Sequence, residues 1–208
     1  MVMYQKVHNY PMARPVEIER DSAFAAAFEL FWRQGYLSTS LQQLLDVMQI
    51  GKSSFYAAFK SKEQLFLDGL AHYLAETKTL FAHVKSEHVG LEAIHEFLLV
   101  TLVNETKERR SFGCLAVNTT LELADVDKPL HSEASNILSY IESEFAVLIE
   151  QAQSAGQLSA HQSPAELANL MMLMVQGLRV SSRRGMSRKQ ASSAVDSLIH
   201  LFASSTRR

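Results

Sequence analysis

Between Ser40 and Phe66 the apolar positions Leu41, Leu44, Leu45 and Met48 recur at helical spacing, stop at Gln49 to Gly51, and resume at Phe55, Ala58 and Phe59. Apolar residues three and four apart mark one face of an amphipathic helix. The stretch therefore predicts two short helices joined by a tight turn, the second running from Lys52 to Phe59. Ser40 with Gln43 fits a capping box, and Thr39 with Gln42 fits it equally well, so two starts one residue apart are open. Ser61 with Gln64 caps a third helix in the same way.

The same periodicity organises the rest of the chain as helices. Ahead of the turn, Glu17 to Gln34 carries Ala23, Ala27, Leu30 and Phe31 on one face, widened by Phe24 and Phe28, and Gly35 is the expected C-terminal cap; Trp32 reads as packing. Behind it, Lys62 to Val84 predicts one long connector helix. Further helices are expected at Leu91 to about Glu105, from Ser111 through Leu123, and from Lys128 to Ala155, with Lys107 to Arg110 as a charged break. Asp127 followed by Pro129, and Ser163-Pro164 followed by Glu166, are strong helix starts. The helix after Ser163 is apolar nearly all round through Leu170 to Val175, and a last helix follows Ser187 and Gln190.

Composition adds bounds. The 208 residues, 47% hydrophobic and 20% charged, allow one large domain or two small ones with a real core. The formal net charge of −2 argues against a generally basic coat, but its distribution is uneven: residues 1–62 hold seven Lys/Arg against five Asp/Glu. That excess of two positive charges lies on the side of the two short helices. One cysteine, Cys114, excludes an intrachain disulfide and suits a reducing cytoplasm. The N-terminus lacks a basic-then-apolar secretory pattern, and the uncharged run Leu167 to Leu178 is too short to span a bilayer. Residues 1–15 show no periodicity and read as a loose arm, with Arg14 the one candidate for a minor-groove contact. No carboxylate–histidine pattern has metal-ligand spacing. His72 and His83 share a face but stand about 16 Å apart along a helix, so no metal and no cofactor is expected.

The outer face of the Lys52 to Phe59 helix offers Lys52, Ser53, Tyr56 and Ala57, with Ser54 near the leading end. Small, hydroxyl-bearing, singly basic surfaces suit the leading end of a recognition helix in a DNA major groove, because short side chains let the backbone approach base edges. Three linked segments then agree in order and distance: Thr39-Ser40-Leu41; Lys52-Ser53-Ser54-Phe55-Tyr56 with Phe59; and Ser61-Lys62-Glu63 with Leu65-Phe66. Together, over roughly residues 16 to 70, they resemble the DNA-binding domain of TetR-family transcriptional repressors. The run Gly113 to Leu123 is similar, less specifically, to the ligand domains of that family. Two departures stand out. Gln49 occupies the family's usual turn glycine and Gly51 its usual capping serine.

The resemblance implies an all-α protein with an N-terminal helix-turn-helix DNA-binding domain at residues 16–61 and a larger helical ligand-binding and dimerisation domain at 62–208. It implies that Thr39, Tyr56 and Lys62 grip phosphates, that Lys52, Ser53 and Ser54 face bases, and that Ser40 and Ala57 belong to the same surface. The implied partners are a double-stranded, palindromic operator, a second copy of the chain and a small-molecule inducer, with no membrane and no enzymatic activity. Among the residues themselves, Asn118 and Glu122 are polar on a largely apolar helix, so they either fix a ligand or bond each other and nearby backbone. Cys114 is a candidate thiol sensor or a small buried residue without chemistry. A ligand pocket is expected from Phe66, Tyr73, Phe97, Cys114, Asn118, Glu122, Phe145 and Met174. A dimer interface is expected from Leu167, Leu170, Met171, Met174, Leu178, Val195, Leu198 and Phe202. The alternative is a helical small-molecule-binding or protein-interaction module that does not read DNA.

Overall fold

The computed structural model describes residues 20–204; the arm at 1–15, Arg14 and the expected helix start at Glu17 lie outside them. All regular structure among the described residues is helical. The order is α1 (Arg20–Gln34), α2 (Leu41–Met48), α3 (Lys52–Phe59), α4 (Lys62–Glu87), α5 (Leu91–Leu98), a π-helical turn (Leu99–Val103), α6 (Lys107–Phe112), α7 (Leu115–Leu123), α8 (Lys128–Ser154), α9 (Pro164–Arg183) and α10 (Arg188–Ser204).

The first three helices close over a small aromatic core. Phe31, Leu44, Phe55, Phe59, Leu65 and Phe66 are buried there. Phe66 meets Phe31 edge to face with centroids 4.9 Å apart, a favourable quadrupole arrangement. Ser40, not Thr39, caps α2: its hydroxyl accepts from the Gln43 amide while Gln43 Oε1 accepts from the Ser40 amide. Gln49 takes the left-handed conformation at φ 55° that the turn demands, even though it is not a glycine. At the start of α3, Gly51 is extended and supplies no side-chain cap.

Beyond α4 the helices form a bundle. α7 and α9 pack along α8, α6 lies on α9, and α10 covers α5 and the π-helical turn. Phe81, Phe97 and Phe145 make its aromatic centre, with Phe81 and Phe97 stacked at 4.1 Å. Two expectations are corrected here. The helix expected to run from Leu91 to Glu105 leaves the α-helical pattern after Leu98. The charged segment Lys107 to Arg110 is not a break but most of α6, capped by the Thr106 hydroxyl. Arg110 is buried, and its guanidinium donates to the carbonyls of Val103 and Glu105, at the end of the π-helical turn where a cation is favoured.

Candidate functional site

α3 presents two faces. Phe55 and Phe59 are buried, while Lys52, Ser53, Tyr56 and Ala57 are exposed and Ser54 is half-buried. Tyr56 is 46% exposed, and its ring meets Phe55 edge to face, which fixes it against the helix. Ser40 is exposed at the start of α2. Two residues expected to grip phosphates have partners within the chain. Thr39 is fully buried; its hydroxyl donates to the Gly35 carbonyl at 2.6 Å and accepts from Gln34. The Lys62 ammonium lies 4.2 Å from the centre of the Tyr36 ring, a cation–π contact. Burial lowers its pKa there, and the Glu122 carboxylate opposes that shift.

Behind this unit, α4, α5, α7, α8 and α9 line a partly open cavity of about 220 Å³. Of the expected pocket residues, Tyr73, Phe97 and Cys114 line it. The Tyr73 hydroxyl and the Cys114 thiol lie 3.4 Å apart, and burial raises the Tyr73 pKa well above its ordinary value, so the phenol keeps its proton. The other five are placed elsewhere. Phe66 belongs to the core of the first three helices. Phe145 belongs to the aromatic centre of the bundle, and Met174 packs against the core. Asn118 donates to the Phe112 carbonyl at 2.8 Å. Glu122 accepts from the backbone amides of Tyr36 and Leu37 at 2.9 and 2.8 Å. Both are thus polar residues bonded to backbone, lining an open groove beside the cavity rather than the cavity itself.

Sequence reasoning missed several cavity residues. Trp32, read as packing, forms part of the wall and donates its indole N–H to the Gly113 carbonyl at 3.1 Å. Arg179 also lines it, at the close of the long uncharged run of α9; a lone cation ending an apolar run was the signal available. Arg109 caps the wall by placing its guanidinium 4.2 Å from the Trp32 ring centre.

The expected dimer residues divide by burial. Leu167, Met171, Val195, Leu198 and Phe202 are buried within the chain's own core, and Met174 and Leu178 are half-buried against it. Only Leu170 is exposed, at 46%, because α9 turns its Met171, Met172 and Val175 side inward. Leu173 at 59% and Val180 at 49% share the outward side with Leu170.

The family model described as "Bacterial regulatory proteins, tetR family" matches residues 23–68, and "Tetracyclin repressor-like, C-terminal domain" matches residues 90–198. The chain belongs to the TetR family. TetR-family membership makes it a DNA-binding transcriptional regulator, not an enzyme. It is 26% identical over 179 residues to the HTH-type transcriptional repressor ComR of Escherichia coli (strain K12), covering 84% of each chain. It is similar to a cysteine mutant of the TetR family transcriptional regulator CifR complexed with 26 bp operator DNA, at 28% identity and TM-score 0.77, covering 90% of this chain and 98% of that one. A TetR-family regulator from Agrobacterium tumefaciens shares the fold at TM-score 0.79 and 17% identity, covering 88% and 96%. Among the described residues no helix of this TetR-family chain is long and apolar enough to cross a membrane, and no group of three or more His, Cys, Asp or Glu is placed to hold a metal.

Proposed function

We propose that this protein is a cytoplasmic repressor that docks as a homodimer on a palindromic operator and is released when a small molecule fills the cavity. Residues 16–61 act as the DNA-reading unit and 62–208 as the ligand-binding and dimerisation unit. In this reading Lys52, Ser53 and Ser54 face base edges, Ala57 lets the backbone approach, and Tyr56 and Ser40 reach phosphates. Thr39, fully buried, shapes the unit from within, and the half-buried Lys62 is held over the Tyr36 ring. The complex of operator DNA with CifR supports the docking. The name of ComR supports repression.

The observation that carries regulation is Trp32. It belongs to α1, which packs on α2, yet it forms part of the cavity wall and is bonded to Gly113 ahead of α7. A ligand pressing on Trp32 and on the start of α7 therefore bears on the DNA-reading unit directly. Glu122 gives a second link, from α7 to the loop between α1 and α2. Release requires that the ligand bind the non-docking arrangement more tightly than the docking one; equal affinity shifts nothing.

The outward stripe of Leu170, Leu173 and Val180 on α9 is the dimer face in this reading. Twofold symmetry would then set two α3 helices about one DNA turn, roughly 34 Å, apart. Selection of duplexes from a random pool, followed by sedimentation of the winning complex, tests the proposal. A palindromic winner bound by two chains is expected. No enrichment, with or without cell extract to supply a corepressor, favours the ligand-binding module that does not read DNA.

A further inference from the structure

We infer that the cavity takes a small, mostly apolar monoanion of about one ring plus one acidic substituent, and that the guanidinium of Arg179 reads its charge. This inference rests on the cavity being the inducer site.

Four charged side chains line the cavity: Glu76, Glu105, Arg109 and Arg179. Three have charged or aromatic partners. Glu76 lies 3.4 Å from His72, Glu105 lies 4.0 Å from Arg109, and Arg109 is seated over the Trp32 ring. Among the described residues Arg179 has no carboxylate within ion-pair distance; its hydrogen bond is from Nη1 to the Thr101 carbonyl at 2.7 Å. A guanidinium carries five N–H donors, so most of this one remains available.

The other polar groups of the wall favour the same ligand. The hydroxyls of Thr77 and Thr101 donate to the carbonyls of Tyr73 and Phe97 within their own helices. Besides Arg109, three groups at the cavity can donate: Arg179, the Gln176 amide one turn before it on α9, and the protonated Tyr73 phenol, whose oxygen lies 3.4 Å from the Cys114 thiol and can accept its proton. A carboxylate accepts from all three, and two oxygens suit the parallel N–H groups of arginine. A neutral ligand that sealed the cavity would strip water from Arg179 without replacing its counter-charge, which is unfavourable. A cationic ligand would face the Arg179 charge, and the carboxylates open to it are Glu105, held by Arg109, and Glu76, half exposed beside His72. Leu80, Leu138, Ile141 and Val175 supply the apolar remainder of the wall. A volume of about 220 Å³ exceeds the ~150 Å³ of an engineered cavity that holds benzene, leaving room for one substituent.

Benzoate, benzamide and benzamidine share a ring and nearly the same shape while differing in charge, so they isolate the variable. Calorimetric titration of the DNA-free, full-length protein with each, at fixed ionic strength, is the test. Quenching of Trp32, the single tryptophan, reports that the probe sits in this cavity. Benzoate should bind at least about tenfold more tightly than benzamide, the effect of one charge-assisted contact. Benzamidine should not bind. Arg179→Gln should erase the preference for benzoate over benzamide, with parental helix content by circular dichroism showing that the variant folded. Equal or tighter binding of benzamide or benzamidine, no binding by any probe, or a benzoate preference that survives in Arg179→Gln overturns the inference. The inducer reading fails separately. If benzoate binds with the expected preference but operator affinity is unchanged, the charge assignment stands and release by this site falls. If only a neutral or cationic probe releases DNA, the reverse holds.

Discussion

Glu122, near the end of α7, holds the backbone amide of Tyr36 at 2.9 Å, tying the helical bundle to the loop that enters the helix-turn-helix. Its other oxygen takes the Leu37 amide, so one carboxylate clamps two successive N–H groups. Gly35 makes the approach possible: a Cβ there would lie 2.7 Å from both carboxylate oxygens, and its φ of 92° already requires glycine. The Lys62 ammonium over the Tyr36 ring adds a favourable charge.

Glu122→Ala leaves the part-buried Tyr36 amide without its acceptor and returns the exposed Leu37 amide to water. A hydrogen bond to a charged group is worth about 1.5–3 kcal/mol, so a loss of about 2 kcal/mol is expected in denaturant unfolding. Glu122→Gln, which keeps one acceptor, should lose less. A variant as stable as the parent would show that the clamp is not formed in solution.

Trp32 offers a direct optical report, because it is the single tryptophan and lies on the cavity wall. A ligand that fills the cavity should change its emission, and Trp32→Phe should both abolish that signal and leave the Gly113 carbonyl unpaired. The expected stability cost of the lost bond is about 1–3 kcal/mol. Ligand binding seen by calorimetry with unaltered Trp32 emission would place the ligand elsewhere.

Gln49 holds a left-handed backbone that costs an L-residue about 1–2 kcal/mol relative to glycine. Glycine in turn loses roughly 0.5–1 kcal/mol more chain entropy on folding. Gln49→Gly should therefore stabilise the protein by about half to one kcal/mol, read as a raised denaturant midpoint. A lowered midpoint would mean that the Gln49 side chain makes a compensating contact.

Much of the helix-turn-helix was legible because its signals are local. The apolar spacing of Leu44 and Met48, the Ser40–Gln43 cap and the Phe55–Phe59 pair each lie within one or two helical turns. The cavity was less legible, since its wall gathers Trp32, Tyr73, Phe97, Cys114 and Arg179 from distant parts of the chain. A period of 3.6 shows which face of a helix is apolar but not which neighbour covers it. Thus Phe145, apolar and inward as expected, packs edge to face on Phe81 and Phe97 in the core rather than lining the cavity. Glu122 shows the same limit. Its polarity on an apolar helix was plain, whereas its partners are 85 and 86 residues away. The apolar run of α9 identified a buried helix, yet only the packing of Met171 and Met172 on the core reveals that Leu170 and Leu173 face outward.

The proposed dimer face is tested by Leu173→Glu, which places a charge on the outward stripe of α9 without entering the core. The variant should sediment as a folded monomer with parental helix content, and its operator affinity should fall by at least about tenfold, because the second half-site contact is lost. A dimer of unchanged stability would place the twofold on another surface.

The most direct measurement is anisotropy titration of the selected duplex at several salt concentrations, with the parent protein and with Lys52→Gln. Phosphate neutralisation makes the logarithm of affinity fall linearly with that of salt. The parent should show a steep fall, and removal of the exposed Lys52 should weaken binding and relax the preference for the base pair that it faces. An affinity indifferent to salt, or untouched by Lys52→Gln, would contradict α3 as the element that docks in the groove.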